Sequence, residues 1–372
     1  MKKEGRKQSI VKKSLLSFLA VVSILIYLGA IFAGYAGWID PSTWALPSML
    51  ALAFMPFFIL SVIGMIGWNI YRFDSWIALF SDFVVIILIY PFILVFPMSH
   101  AKSASEGERV FSVMSYNSFY CDDTEFDNPA RSRTLDYIIN SDADIVCLQE
   151  LYSIEAAGTH GKATTTQLDK IKELYPYRLE PGSRELVMLS HYPLKEIGGD
   201  RGQLFFQYQV ARVDVMGTPV TVINVHLPSF GLSPEERQVI NDIKDGGEGL
   251  SHARSEQKSI YSKLSTAFSV RARAARVIRN ICDTITGDLI VCGDFNDVPG
   301  SFAYRTVLGN DLHDVYKETE MGYTNTFHAY MMYFHIDQMF YRGNMRALDF
   351  IRGNVRSSDH YPITGIFALP SD

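Results

Sequence analysis

Tryptophan is absent from this chain of 372 residues after Trp76, cysteine is scarce, and basic residues run short beyond the first hundred positions. The four cysteines, Cys121, Cys147, Cys282 and Cys292, form no CxxC pair and show no zinc-ligand spacing, which excludes a structural zinc module. Cys147 and Cys292 lie in apolar runs and read as inert core thiols, although an oxidising compartment would permit a disulfide. Beyond the last long apolar run, 27 basic residues face 36 acidic ones, a net charge of about −9. A general polyanion binder needs clustered Lys and Arg, so that class is excluded. No HExxH helix, internal repeat or low-complexity tract occurs.

Charge is also missing from long stretches near the start. None interrupts the chain between Lys13 and Asp40 or between Asp40 and Arg72, and a third apolar run, FVVIILIYPFILVFP, follows Asp82. The first two exceed the roughly 20 residues that cross about 30 Å of hydrocarbon, and the third reaches that length if it begins near Trp76 with Asp82 inside. These runs predict a membrane anchor over residues 1–102, with helices at about 14–36, 46–70 and 76–98. A basic start and small residues near Ala33 and Gly34 also fit a cleavable signal peptide, but two further apolar runs exceed that reading. Lys2, Lys3, Arg6, Lys7, Lys12 and Lys13 crowd the N-terminus, while the loop at Asp40 has no basic residue. The positive-inside rule then puts the N-terminus in the cytoplasm and, after three crossings, the remainder outside it. The expectation is an integral membrane protein with an extracytoplasmic catalytic domain, on the periplasmic face of the inner membrane in a bacterium. Trp38, Trp44, Trp68 and Trp76 all flank the spans, at the headgroup level that indoles favour. Asp82 reads as a carboxylate reaching interfacial water, with an intramembrane functional role as the alternative. Pro56 and Pro91 are tolerated by membrane helices.

Residues 103–372 are long enough for one large core. Runs rich in β-branched and aromatic residues, RVFSVMSY, ADIVCLQE, ELVMLSHY, FFQYQVARVDVMG, PVTVINVHL, DLIVCGDF, FHIDQMFY and YPITGIFAL, predict strands. ARSRTLDYIINS, TTTQLDKIKELY and about 253–284 carry helical periodicity, and Gly217 to Pro219 signals a hairpin. The mixture implies an α/β sandwich with mixed sheets. A polar insertion at about 232–264 reads either as a lid or membrane-facing element or as a solvated helical excursion.

Polar residues gather where the apolar runs stop. Asn117 ends SVMSYN, Gln149 and Glu150 end IVCLQE, and Asn224 and His226 lie at the end of VTVINVHL. Asp294, Asn296 and Asp297 follow LIVC in GDFND, and Ser358, Asp359 and His360 precede YPITGIF. Strand C-terminal ends are where ligands collect in α/β folds, and this supply of oxygen donors suits Mg2+ or Mn2+. In this order YN, LQE, NVHL, GDFN and SDH resemble the signature set of the endonuclease/exonuclease/phosphatase superfamily, over about residues 108–370. The resemblance implies a four-layered sandwich of two mixed β-sheets flanked by helices, here preceded by about three transmembrane helices.

It also implies roles. Glu150 would be the central metal ligand, with Asn117 and Asp359 close to the metal or its waters. Asp294 and Asn296 would position or deprotonate the attacking water. His360, oriented by Asp337, would contact the phosphate or transfer a proton, and His226 would bond phosphoryl oxygens or support the leaving group. The segment HIDQMFY keeps Asp337 but departs from the relatives' pattern at His335 and Gln338. Tyr304 reads as a packing residue, and His191 as either a substrate contact or a rim residue. His100, His160, His252, His313 and His328 read as surface or core.

The reaction class implied is Mg2+- or Mn2+-dependent hydrolysis of a phosphodiester or phosphomonoester. Inositol-polyphosphate 5-phosphatases carry a tryptophan-containing segment that has no counterpart here, and an extracytoplasmic site argues against DNA repair and messenger-RNA trimming. A lipid or other small phosphodiester at the bilayer is the favoured substrate, with an extracytoplasmic nuclease or a tethered non-catalytic binding protein as alternatives. The bilayer and the phosphoester are the only partners the sequence suggests.

Overall fold

The chain is described by a computed structural model over residues 2–72, 75–122, 131–159, 161–180, 182, 184–200, 206–230, 253–329 and 333–371. Four helices open it: α1 (Lys2–Gly34), α2 (Leu46–Ala51), α3 (Phe54–Arg72) and α4 (Trp76–Val95). Ile10–Gly34, Phe54–Tyr71 and Trp76–Val95 are long and apolar enough to cross a membrane. They pack around Tyr27, Ala30, Phe54, Val84 and Leu88, and leave Leu25, Ile59, Ile63 and Phe83 exposed.

Two boundaries differ from the sequence expectation. The helix expected over 46–70 breaks at Leu52 and Ala53, because Pro56 has no N–H to offer the Leu52 carbonyl. The third ends at Val95, short of 98, because Pro97 disfavours helical backbone at Phe96. The carbonyl of Pro97 then accepts from the Gly322 amide at 2.9 Å, and the Ser99 amide donates to Glu320 at 3.0 Å. Asp82 accepts a 2.8 Å hydrogen bond from the Asn69 side chain across the α3–α4 hairpin.

The remaining residues build two six-stranded sheets. The first runs β11 (Arg346–Arg352), β12 (Ile363–Leu369), β1 (Arg109–Asn117), β2 (Ile145–Gln149), β4 (Leu186–Ser190), β3 (Tyr177–Leu179). The second runs β5 (Leu194–Gly199), β6 (Gln207–Val215), β7 (Thr218–His226), β8 (Asp288–Asp294), β10 (Asp337–Arg342), β9 (His313–Asp314). Both are mixed: β1–β2 and β7–β8 are parallel and their other pairings antiparallel. The short edge strands β3, β5, β9 and β11 lack a clear apolar pattern, because one or both faces are solvated.

Alternation sorts the strand residues into layers. Ile290 and Cys292 point between the sheets with Val113, Cys147, Val222 and Met339, while Leu289 and Val291 point outward. That outward face is covered by α8 (Ala253–Thr284) and α9 (Phe302–Leu308), and the first sheet by α5 (Arg133–Ser141) and α7 (Thr165–Leu174). Small helices α6 (Ala156–Thr159) and α10 (Val315–Thr319) complete the order α/β/β/α. The hairpin expected at Gly217 is there: Val215 pairs with Thr218, and Met216 and Gly217 both take positive φ, +52° and +88°. Most of the 232–264 insertion lies outside the described residues, and helix α8 begins at Ala253.

The apolar helices are docked on this sandwich. Gly37 has no room for a side chain, since a Cβ would come within 2.3 Å of the Gly300 carbonyl. The Arg305 guanidinium lies 3.6 Å from the Trp38 ring centroid, Arg276 pairs with Asp40, and the Ser269 hydroxyl donates to the Pro41 carbonyl at 3.3 Å. Gly34, Phe54 and Val95 are therefore at the sandwich end of the bundle, and the basic N-terminus at the other.

Gly293 on β8 faces Val225 of the parallel strand β7 at φ +146°, where a Cβ would lie 1.9 Å from the Val225 carbonyl. Gly293→Ala is expected to lower unfolding free energy by about 3 kcal/mol or more, read by denaturant titration.

Candidate active site

Register brings the polar strand ends to one edge of the sandwich. Asn117 on β1 is level with Gln149 on β2, and His226 on β7 with Asp294 on β8. Asp337 opens β10 directly opposite Asp294, and His360 lies three residues before β12 begins. All eight residues expected from the sequence thus reach the same region.

Asp294 is the hub. Its Oδ1 accepts from the Asn296 amide at 2.7 Å, and its Oδ2 accepts from the side chains of Asn296 and Asn117, both at 3.1 Å. The same Oδ2 stands 3.6 Å from His360 Nε2 and 3.7 Å from His226 Nε2. His360 Nδ1 bonds Asp337 at 2.9 Å. Burial raises the Asp294 carboxyl and the neighbouring Asp337 adds to the rise, while His360 and His226 oppose it. Burial alone would discharge His360, but Asp337 and Asp294 outweigh it and raise the imidazole well above its ordinary range.

Glu150 stands at the mouth, 3.0 Å from the Asn117 amide nitrogen and 3.8 Å from His226 Nε2. Burial raises its carboxyl, nearby His226, Asn117 and His360 lower it, and Asp359 raises it again. Glu150 and Asn296 both hold positive φ, +55° and +51°. Such backbone in residues other than glycine concentrates at functional sites. Asp359 is half-buried; the Ser358 hydroxyl, which donates to the Asn117 carbonyl at 2.7 Å, lies 3.3 Å from its carboxylate, and the His328 amide donates to its carbonyl at 3.0 Å.

Two groups could hold a dication. Asp294, Asp337 and His360 offer ligand atoms within 4.8 Å of one another, and the buried Asp337 Oδ1 has no hydrogen-bond partner among the described residues. In this first group His360 Nδ1 is already bonded to Asp337 at 2.9 Å, which leaves its Nε2 toward Asp294. Glu150 and Asp359 present carboxylates at the mouth, where a hydrated dication could keep its waters. Asn117 turns its NH2 group to Glu150 and Asp294, so it aligns the two carboxylates.

Several residues do other work. Asn224 faces away from the mouth: it accepts from Gln149 at 2.7 Å and donates to Leu148 and Val187, tying one sheet to the other. His191 stacks on Tyr175 beyond Ser190, which pairs with Ile145 at the opposite end of β2, so it touches no substrate bound at this site. Tyr304 is buried and donates to Asp314 at 2.6 Å. His335 stacks on Tyr316, and burial pushes it down to about 4. Gln338 donates to the Asp297 carbonyl at 3.2 Å.

Sequence reasoning missed three features. Arg271, fully buried in α8, lies 3.4 Å from Asp297 and donates to the Pro228 carbonyl at 3.0 Å; its signal was an arginine on the apolar face of AFSVRARAARVI. Phe119, Tyr120 and Tyr152 form an aromatic rim with Asp122 around a cavity of about 350 Å³ beside Glu150. The His328 ring lies tilted against the Tyr361 ring, 4.4 Å between centroids, beside Asp359. A cavity of about 560 Å³ near Ser112 and Asp144 lies at the far end of the sheets and holds none of the site residues.

A two-sheet sandwich with a histidine–carboxylate cluster at the strand ends defines a phosphoesterase scaffold. The family profile described as "Endonuclease/Exonuclease/phosphatase family" matches residues 114–360, and the chain belongs to that family of metal-dependent phosphoesterases and nucleases. No match was found among curated protein sequences. Similar solved structures include a humanized D. rerio TDP2 carrying 14 mutations, at 16% identity and TM-score 0.45, covering 69% of this chain and 98% of that one. An endonuclease/exonuclease/phosphatase from Beutenbergia cavernae matches at 16% identity and TM-score 0.46, covering 70% and 72%. Beta toxin 275-280 from Staphylococcus aureus matches at 16% identity and TM-score 0.40, covering 68% and 99%.

Glu150→Gln should cut metal-dependent phosphodiester turnover at least about 10³-fold with an unchanged thermal melt, since the fold does not rely on this half-exposed carboxylate. Arg271→Leu strands Asp297 as a buried unpaired charge. A loss of about 3–5 kcal/mol in unfolding free energy is expected, read by denaturant titration.

Proposed function

We propose that the chain is an integral membrane enzyme that hydrolyses a phosphoester of a lipid, or of another small phosphodiester, at the surface of its own bilayer. The observation that carries this reading is the docking of the apolar helices beside the site. Val298, next to Asp297, packs with Ala36 and Ala51 of the helical segment. Substrate would thus meet the site at the level of the lipid headgroups. The acidic surface supports this over a nuclease, which would have to hold a polyanion. The N-terminal lysines favour an extracytoplasmic catalytic domain.

Mg2+ or Mn2+, held by Glu150 and Asp359 with Asn117 aligning Glu150, would supply charge stabilisation for the phosphoryl oxygens. Asp294, fixed by Asn117 and Asn296, takes a proton from the attacking water. The water oxygen bonds to phosphorus as the ester P–O bond on the opposite side breaks. His360, kept protonated by Asp337, donates to a nonbridging oxygen, and His226 supports the departing oxygen, which leaves with a proton from solvent.

The test is the full chain in nanodiscs, assayed with Mg2+ or Mn2+ against phospholipids, sphingomyelin, and single- and double-stranded DNA. Lipid hydrolysis that EDTA abolishes and added metal restores is expected. Cleavage of DNA alone would establish the nuclease instead, and no metal-dependent turnover of any substrate would leave a binding protein. A reporter fused after Asp372 that is active only in the cytoplasm would reverse the assigned orientation.

A further inference from the structure

A further cavity, of about 410 Å³, lies where the apolar helices meet the sandwich, a size typical of ligand pockets. One wall belongs to the helices: Leu52 and Phe54 to Pro56, at the start of the second apolar span, and Val95 and Phe96, at the end of the third. In a bilayer these positions lie at the boundary between hydrocarbon and headgroups. The other wall is Val298 and Pro299, directly after GDFND, with Phe334, three residues before Asp337. His335 is the exception to the apolar lining beyond the tyrosines, and its ring is buried against Tyr316.

The cavity is linked to the reacting end of the molecule. Phe334 bridges Phe327, and Phe327 bridges His360, whose ring meets the Phe327 ring edge-on at 5.1 Å between centroids. Phe327 and Phe334 pack in one apolar cluster with Leu52, Ala51, Val298 and Ile336. The amides of Ile336 and Asp337 both donate to the Thr326 hydroxyl at 3.0 Å, which pins this segment to the start of β10. Tyr323 and Tyr333 are partly exposed at the rim, and the hydroxyl of the first donates to the carbonyl of the second. Tyrosines with an apolar ring and a wet tip are the residues that settle at a membrane interface.

We infer that this cavity is an acyl-chain site, built jointly by the membrane helices and the catalytic domain, that holds one tail of the lipid substrate while its phosphoester reaches Asp294 and His360. The inference rests on the lipid-hydrolase reading above and deepens it: the helices serve as part of the substrate site as well as an anchor. Bilayer lipid is the occupant because the wall from Leu52 to Pro56 is continuous with a span whose neighbouring residues, Ile59 and Ile63, are exposed for contact with hydrocarbon. A lipid drawn partly out of the bilayer keeps its tail in apolar surroundings, which avoids transferring its methylenes to water.

The test uses the full chain in phosphatidylglycerol–phosphatidylethanolamine nanodiscs doped with a phosphatidylcholine bearing a diazirine at the end of one acyl chain. After irradiation, crosslinks are mapped by mass spectrometry. Adducts at Val298, Pro299 or Phe334 are expected, and Ala51→Trp, which fills the cavity, should reduce them at least fivefold. In the wild type, kcat/KM for long-chain lipids should exceed that for the same headgroup on short chains at least tenfold. That measurement stands if the Ala51→Trp chain fails to fold. Crosslinks confined to Ile59, Ile63 and Phe83, with lipid hydrolysis and no chain-length preference, would overturn the tail site and leave the hydrolase reading intact. Hydrolysis of bis(p-nitrophenyl) phosphate without hydrolysis of any lipid would overturn both the lipid substrate and this site, while keeping the phosphoesterase chemistry.

Discussion

One buried carboxylate oxygen, Oδ2 of Asp294, organises the rest of the site. An anion removed from water is stable only when donors and positive charge surround it: here the amides of Asn117 from β1 and Asn296 from the turn after β8 donate to it, and His226 from β7 and His360 from the loop before β12 stand 3.7 and 3.6 Å away. Satisfying this one oxygen draws the ends of both sheets together. It also holds two histidines where a phosphoryl group can meet them.

Such a demand requires that the sheets not slide. The Gln149–Asn224 clamp provides the registration, since each amide bonds across the gap and neither reaches solvent. Beneath the site, Arg271 and Asp297 form a second fully buried pair that ties α8 to the turn after β8. Buried ionic pairs of this type contribute little net stability but strongly disfavour arrangements that separate them. The aromatic rim at Phe119, Tyr120 and Tyr152 and the strained backbone at Glu150 leave the mouth as the more exposed part of this scaffold.

The apolar helices are held against the same end of the sandwich. Close approach at Gly37, the Arg305–Trp38 stack and the Arg276–Asp40 pair fix them to the face that carries Val298 and Pro299. Distance between bundle and site is therefore set by packing, and Pro97 and Ser99 bond directly to Gly322 and Glu320 of the sandwich. The proposed lipid substrate follows from that short path.

The sequence by itself determined the three long apolar helices and the central strands, and it singled out eight polar positions that the fold brings to one edge of the sandwich. Hydrophobic runs report burial directly, and the chemistry demands particular residue types at strand ends. It could not tell Asn224, which serves the clamp, from Asn117, which serves the site, because both follow the same apolar pattern. Nor could it find Arg271, whose partner is 26 positions away, or place His191 at the far end of its sheet. Edge strands such as β5 and β11 escaped notice because partial solvation blurs their period. Only tertiary structure decided that the apolar helices wall a cavity beside the candidate site, since that contact joins Leu52 to Val298 and Phe334 through packing that no local pattern encodes.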